Sequence, residues 1–208
     1  MMINESILGG GGLVSESSAH LQAGESIGDI GTGNSSSANL SLNSGYTTTS
    51  DPSLSLNVID GTLSFGAFSP GQTAVATSRF SISNYTSYGY TVQIVGTPPT
   101  NGNHTIKAMT TSNASQVGTE QYGINLVANT SPQAFGTNPD NGISGFGLAA
   151  PGYSTSNYYQ YIDGNTVAYA GKSSGTTIYT VSHIINVTPL TPGGQYTAGQ
   201  TLICIGNY

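Results

Sequence analysis

Apolar and polar residues alternate with a period of two through most of this chain. Leu54, Leu56 and Val58 interleave with Ser53, Ser55 and Asn57, the pattern of a strand with one buried face. Phe80 and Ile82 oppose Arg79 and Ser81, and Tyr88, Tyr90, Val92 and Ile94 alternate until Gly96 precedes Pro98-Pro99. Tyr122, Ile124, Leu126 and Ala128 repeat the pattern. The longest run, Thr177 to Val187, sets Tyr179, Val181, His183, Ile185 and Val187 on one face and Ile178 and Ile184 on the other. Turn signals separate these runs: Asp60-Gly61 leading into a further strand at Thr62 to Phe65, then Ser69 to Gln72, Asn101-Gly102 and Pro189 to Gly194. Tyr158 to Ala170 reads as a hairpin turning at Asp163-Gly164-Asn165, and Tyr196 to Ile205 as a returning strand. No window carries a capped helical period. About eight to ten short strands joined by Gly, Pro and Asn turns predict an all-β fold, a single antiparallel β-sandwich of Ig-like or jelly-roll-like type.

The pattern weakens before Asp51-Pro52. Gly9 to Gly12 is a glycine run, Gly24 to Asn34 is Gly-rich and acidic, and neither has side chains enough to nucleate a core. Ser17 to Gln22 and Ser36 to Ser41 match at an offset of 19 residues and predict two short β segments. The expected organisation is an extended Gly/Ser-rich N-terminal arm over residues 1–50 and a sandwich domain over 51–208.

Composition changes the picture in one direction. Of 208 residues only 3 are basic and 9 acidic, a net charge of −6, so charged residues are about a quarter of their usual share. Ser, Thr, Asn and Gln must hydrate the surface instead. So few cations cannot neutralise a phosphate backbone, which excludes nucleic acid, and no stretch is long and apolar enough for a helical membrane span. The start, Met1 to Glu5, lacks the basic and apolar regions of a signal peptide, so secretion is inferred from composition. Cys204 is the single cysteine, which forbids an internal disulfide and reads as a small buried hydrophobe.

The chemistry of catalysis is sparse. The carboxylates lie in the arm or at turns without a closely spaced pair. His20, His104 and His183 have no zinc-binding spacing, and His183 reads as a satisfied core residue. Asn138 to Gly142 and Asp163 to Asn165 offer oxygens but lack the charge of a dedicated calcium loop. Lys107 or Lys172 with Glu120 would be the only materials for an isopeptide crosslink. Sequons at Asn39, Asn84, Asn103, Asn113, Asn129 and Asn186 are compatible with glycosylation. No catalytic residue, metal or cofactor is expected, and the chain does not read as an enzyme.

Gly61 to Gly66, Ser69-Pro70-Gly71, Arg79 to Ile82 and Tyr88 to Val92 form a series that resembles secreted bacterial cell-surface β-sandwich proteins. The set includes the WxL type, spore-coat U and TasA/camelysin-like fibre subunits. Leu190 to Thr197 is similar to the turn that opens their last strand. Gly118 to Ala128 and Ser37 to Leu40 resemble segments of uncharacterised exported proteins of reduced-genome bacteria. The chain departs from the WxL pattern in having no Trp, so that wall-binding motif is missing. The resemblance to fibre subunits implies self-assembly into a pilus-like filament by donor-strand complementation. On that expectation the arm pairs with a sheet edge of another copy, as a homopolymer, with Ile7, Leu8, Leu13, Val14 and Leu21 as donor side chains. The alternative is a cell-surface adhesin or carbohydrate-binding module, with Tyr153, Tyr158, Tyr159 and Tyr161 stacking on a glycan. Either role is extracellular.

Overall fold

The computed structural model describes residues 15–18, 21–24, 33–37, 40–44, 53–86 and 88–207. The chain divides into two compact units, Met1–Asp51 and Pro52–Tyr208. In the first, β1 (Ser15–Ser18), β2 (Leu21–Gly24), β3 (Gly33–Ser37) and β4 (Leu40–Ser44) form an antiparallel sheet in sequential order. The paired pieces anticipated around Ser17 and Ser36 thus become two hairpins of one meander, because each Ser-rich segment finds its complement a few residues away.

The second unit is a β-sandwich. Its long strands are β5 (Leu54–Asp60), β6 (Ala74–Asn84) and β7 (Tyr90–Gly96), followed by two-residue strands β8 (Thr100–Asn101), β9 (His104–Thr105) and β10 (Asn113–Ala114). Then come β11 (Gln121–Asn125), β12 (Leu148–Ala149), β13 (Tyr158–Tyr159), β14 (Asn165–Ala170), β15 (Ser174–Asn186) and β16 (Gln200–Gly206). One sheet has the order β11-β15-β6-β5 and the other β12-β14-β7-β16, and all their pairings are antiparallel. Among the described residues there is no helix able to cross a membrane.

Period-two alternation accounts for the core. Phe80, Ile82, Tyr122, Ile124, Tyr179, Val181 and Ile185 from the first sheet meet Tyr90, Val92, Ile94, Val167, Ala168 and Ala170 from the second in one buried cluster. Phe80 stacks on Tyr179 at 4.9 Å between ring centroids. The hydroxyls of Tyr90 and Tyr179 bond to each other at 2.8 Å across the sheets, so neither is left unsatisfied in the interior.

β15 is buried on both faces because the chain also covers its outer side. Ile184 packs there with Met109 and Tyr159, joined by Val75 and Phe135. The close approach needs a glycine: a Cβ on Gly123 would stand 2.8 Å from Met109 Sδ and 2.9 Å from Tyr159 Cβ. This outer layer corrects one expectation. Tyr158–Tyr159 pairs with β10, whereas β14 pairs with β7 and β12, so Tyr158 to Ala170 is not a hairpin. A second correction is that Thr62 to Phe65 forms no strand. Phe65, with Phe68 beyond it, instead packs against the core.

Candidate functional site

The two flanks of the sandwich differ. On one flank, β11 has its outer edge satisfied by crossing segments: Tyr122 N–H donates to Lys107 O, Met109 N–H to Tyr122 O, and Ile124 exchanges both backbone bonds with Gln160. Asp140 and Ile178 exchange a similar pair beside β15. The neighbouring edge, β12, is only two residues long, too short to template pairing.

The opposite flank ends in β5 and β16. β5 carries a bulge between Val58 and Asp60, and Asp60 accepts from Arg79 Nε at 2.6 Å. Bulges and charges both blunt an edge. β16 has neither. It pairs with β7 in unbroken register over seven residues, Gln200 to Gly206, and its other edge has no partner strand among the described residues. Gln-Thr-Leu-Ile-Cys-Ile-Gly contains no charge and no proline. Ile203 and Ile205 are 41% and 48% exposed on its outer face, while Leu202 and Cys204 turn inward against the core. Burial pushes the Cys204 thiol up to about 11, so it stays protonated and packs as an apolar group.

A cleft of about 820 Å³ enters between the sheets at the end of this flank. Val58, Val181, Ile185, Ile94 and Leu202 give it apolar walls, and the segments Gly61–Phe68 and Thr188–Ala198 border it. Most of its exposed lining residues, Gly66, Ala67, Pro192 and Gln195 among them, belong to these two loops, with Val58 of β5 exposed beside them.

His183 lies in the cleft wall and is 2% exposed. Its Nε2 lies 3.1 Å from Ser78 Oγ and its Nδ1 3.2 Å from the Tyr122 hydroxyl, which also accepts from Gln200 Nε2. Burial pulls the imidazole down to about 4 and raises the Tyr122 phenol. His183 is therefore neutral at pH 7, with one donor and one acceptor nitrogen. Ser78, His183 and Tyr122 stand in the order nucleophile, base and orienting group. The third member is a neutral phenol rather than a carboxylate, and a base of such low affinity is poorly suited to taking a serine proton near neutrality. The expectation of a satisfied core histidine describes its bonding, though not its place at a cleft.

Of the tyrosines anticipated as a ligand platform, Tyr153, Tyr159 and Tyr161 are buried. Tyr161 donates to Gly96 O and Tyr159 to Ser131 O, both at 2.6 Å. Tyr158 alone is exposed, so the four do not form a stacking surface. Their Gly/Ser/Asn surroundings look like an exposed loop, but that loop crosses the sandwich and seats the rings inside it. Of the donor candidates, Ile7, Leu8, Leu13 and Val14 lie outside the described residues, and Leu21 sits in β2 opposite Ser18.

The other groups singled out in the sequence have local partners. Glu120 accepts from His104 Nε2 at 2.8 Å, from Thr191 Oγ1 and from the Lys107 amide. Its burial alone would raise the carboxyl, but these bonds hold it below the ordinary value. Lys172 Nζ lies 3.5 Å from the Phe146 ring centroid, in a cation–π contact. Asp140 accepts from Gly142 N–H and Asp163 from Gly96 N–H, so these loops use carboxylate oxygens to brace themselves. No group of three His, Cys, Asp or Glu gathers as a metal site among the described residues. Asn84, Asn129 and Asn186 are buried and Asn103 and Asn113 are exposed, while the sequon at Asn39 lies outside the described residues. The chain matches no protein-family model, no curated protein and no solved structure.

Proposed function

We propose that this protein is a structural subunit of an extracellular bacterial filament or surface layer, and that it assembles by strand addition, the N-terminal segment of one copy pairing with β16 of the next. The observation that carries this reading is the contrast among the sandwich edges. Three are crossed, shortened or bulged, and β16 presents seven uncharged residues with no strand beyond it among the described residues. An added strand would satisfy its outer N–H and C=O groups, which is the strongest driving force a bare edge offers.

The donor length is adequate. The fourteen residues before β1 reach about 46 Å when extended, against about 23 Å for a seven-residue edge. They carry Ile7, Leu8, Leu13 and Val14. Head-to-tail pairing of this kind leaves a free donor at one end and a free edge at the other, and so propagates as a filament. Low charge with abundant hydroxyl and amide side chains suits a surface polymer, and the resemblance to secreted fibre subunits points the same way. No catalytic role is assigned.

The test is negative-stain microscopy with sedimentation velocity on the full chain, on a form lacking residues 1–14, and on Ile203→Lys/Ile205→Lys. The full chain should form filaments, and both variants should remain monomeric with unchanged β-type circular dichroism. Filaments that persist without residues 1–14 would rule out donation by that segment, and filaments of the double lysine variant would rule out β16 as the receiving edge.

A further inference from the structure

The cleft beside His183 has no part in strand pairing at β16 and has its own chemistry. Its aromatic residues form a row. Tyr196 lies 6.0 Å from Phe68, Phe68 lies 6.3 Å from Phe65, and Phe65 meets His183 edge-on at 6.3 Å between centroids. All four line the cleft, so the row leads from a half-exposed tyrosine at the loops to a buried imidazole.

The polar chain in the wall has a direction that can be worked out from its donors. Gln200 Nε2 donates to the Tyr122 oxygen, so the phenolic proton has to go to His183 Nδ1. The remaining imidazole proton is then on Nε2 and points to Ser78 Oγ. Ser78 consequently accepts and has its own O–H left to give. At the other end Gln200 Oε1 has no donor. Among the described residues neither group has a further protein partner, and both residues line the cleft. One end thus offers a donor and the other an acceptor, joined by a relay whose orientation is set internally.

Charge is nearly absent. The lining residues include no Lys or Arg, and the single carboxylate, Asp60, is engaged by Arg79. An anion would find no cation here, and a cation would compete with Arg79. The volume lies within the range of small-molecule sites. Rings with apolar faces beside fixed uncharged donors and acceptors suit a ligand with an apolar face and an equatorial fringe of hydroxyls.

We infer that this cleft binds a neutral saccharide, stacked on Phe65, Phe68 and Tyr196 and hydrogen-bonded by Ser78 Oγ and Gln200 Oε1. The inference is independent of filament assembly, since it uses the inter-sheet cleft rather than the strand edge. It makes the protein a glycan-binding surface component at a place other than the tyrosine-rich loop.

The experiment is saturation-transfer NMR and calorimetry on the full chain with neutral tetra- to hexasaccharides of glucose, galactose, mannose and N-acetylglucosamine, with oligogalacturonate as the charged control. At least one neutral oligosaccharide should bind and oligogalacturonate should not. Ser78→Ala and Gln200→Ala should each weaken binding about five- to tenfold, the effect of one lost hydrogen bond, and Phe65→Ala should weaken it at least as much. Thermal unfolding of each variant checks that the fold is retained. Failure of every neutral oligosaccharide to bind overturns the inference. So does binding that survives all three substitutions, which would place the site elsewhere, or preferential binding of the acidic control.

Discussion

His183 shows how one residue ties the interior to solution conditions. In the fold its imidazole is neutral because burial pulls it to about 4 from an ordinary 6.5. Between those values the unfolded chain takes up a proton that the folded chain refuses, so stability is complete above pH 6.5 and falls as the pH drops toward 4. The loss from this residue should be on the order of 3 kcal/mol. Chemical denaturation at pH 7 and pH 4 should show it, and His183→Gln, which retains a donor and an acceptor without titrating, should flatten the dependence across that window. Glu120, whose carboxyl is held below 4.5, contributes stability that is lost at still lower pH, so the glutamine variant separates the two. Little of this was visible in the sequence. Its alternation places His183 on the core-facing side of a strand, but the burial and the bonds to Ser78 and Tyr122 join residues 105 and 61 positions apart.

At the scale of elements, the long strands were legible because their signal is local. β5, β6, β7, β11 and β15 appear in the alternation of neighbouring side chains, and β16 within the returning strand that follows the Pro189 to Gly194 turn. Thr62 to Phe65 shows the limit of that reasoning: it has the same alternation and forms no strand, since a strand also needs a partner with free backbone groups. The buried tyrosines show a second limit. Tyr153, Tyr159 and Tyr161 stand among turn formers, and only the crossing of their loop over β11 buries them. The join between the two sheets is likewise non-local, as in the hydroxyl pair of Tyr90 and Tyr179. Tyr90→Phe should lower stability by about 1 to 2 kcal/mol by leaving the Tyr179 hydroxyl short of a partner, seen as an earlier urea midpoint with an unchanged slope.

For the whole molecule, the unit Pro52–Tyr208 contains both sheets of the sandwich and their shared core. Expressed alone, it should unfold in one cooperative transition, with a midpoint within a few degrees of the corresponding transition in the full chain. A broad, non-cooperative melt would mean that residues before Pro52 complete the core. The sequence by itself determined the class of the fold, since period-two alternation between turn formers permits strands and excludes helices. It also determined the sparse charge of the surface, because composition survives any folding. Tertiary structure alone decided which edges are covered, that β16 has no partner strand beyond it among the described residues, and that a histidine, a serine and a glutamine from three strands meet at a cleft lined by aromatic rings. Those outcomes depend on contacts between residues far apart in the chain, and alternation along a strand carries no record of its neighbours.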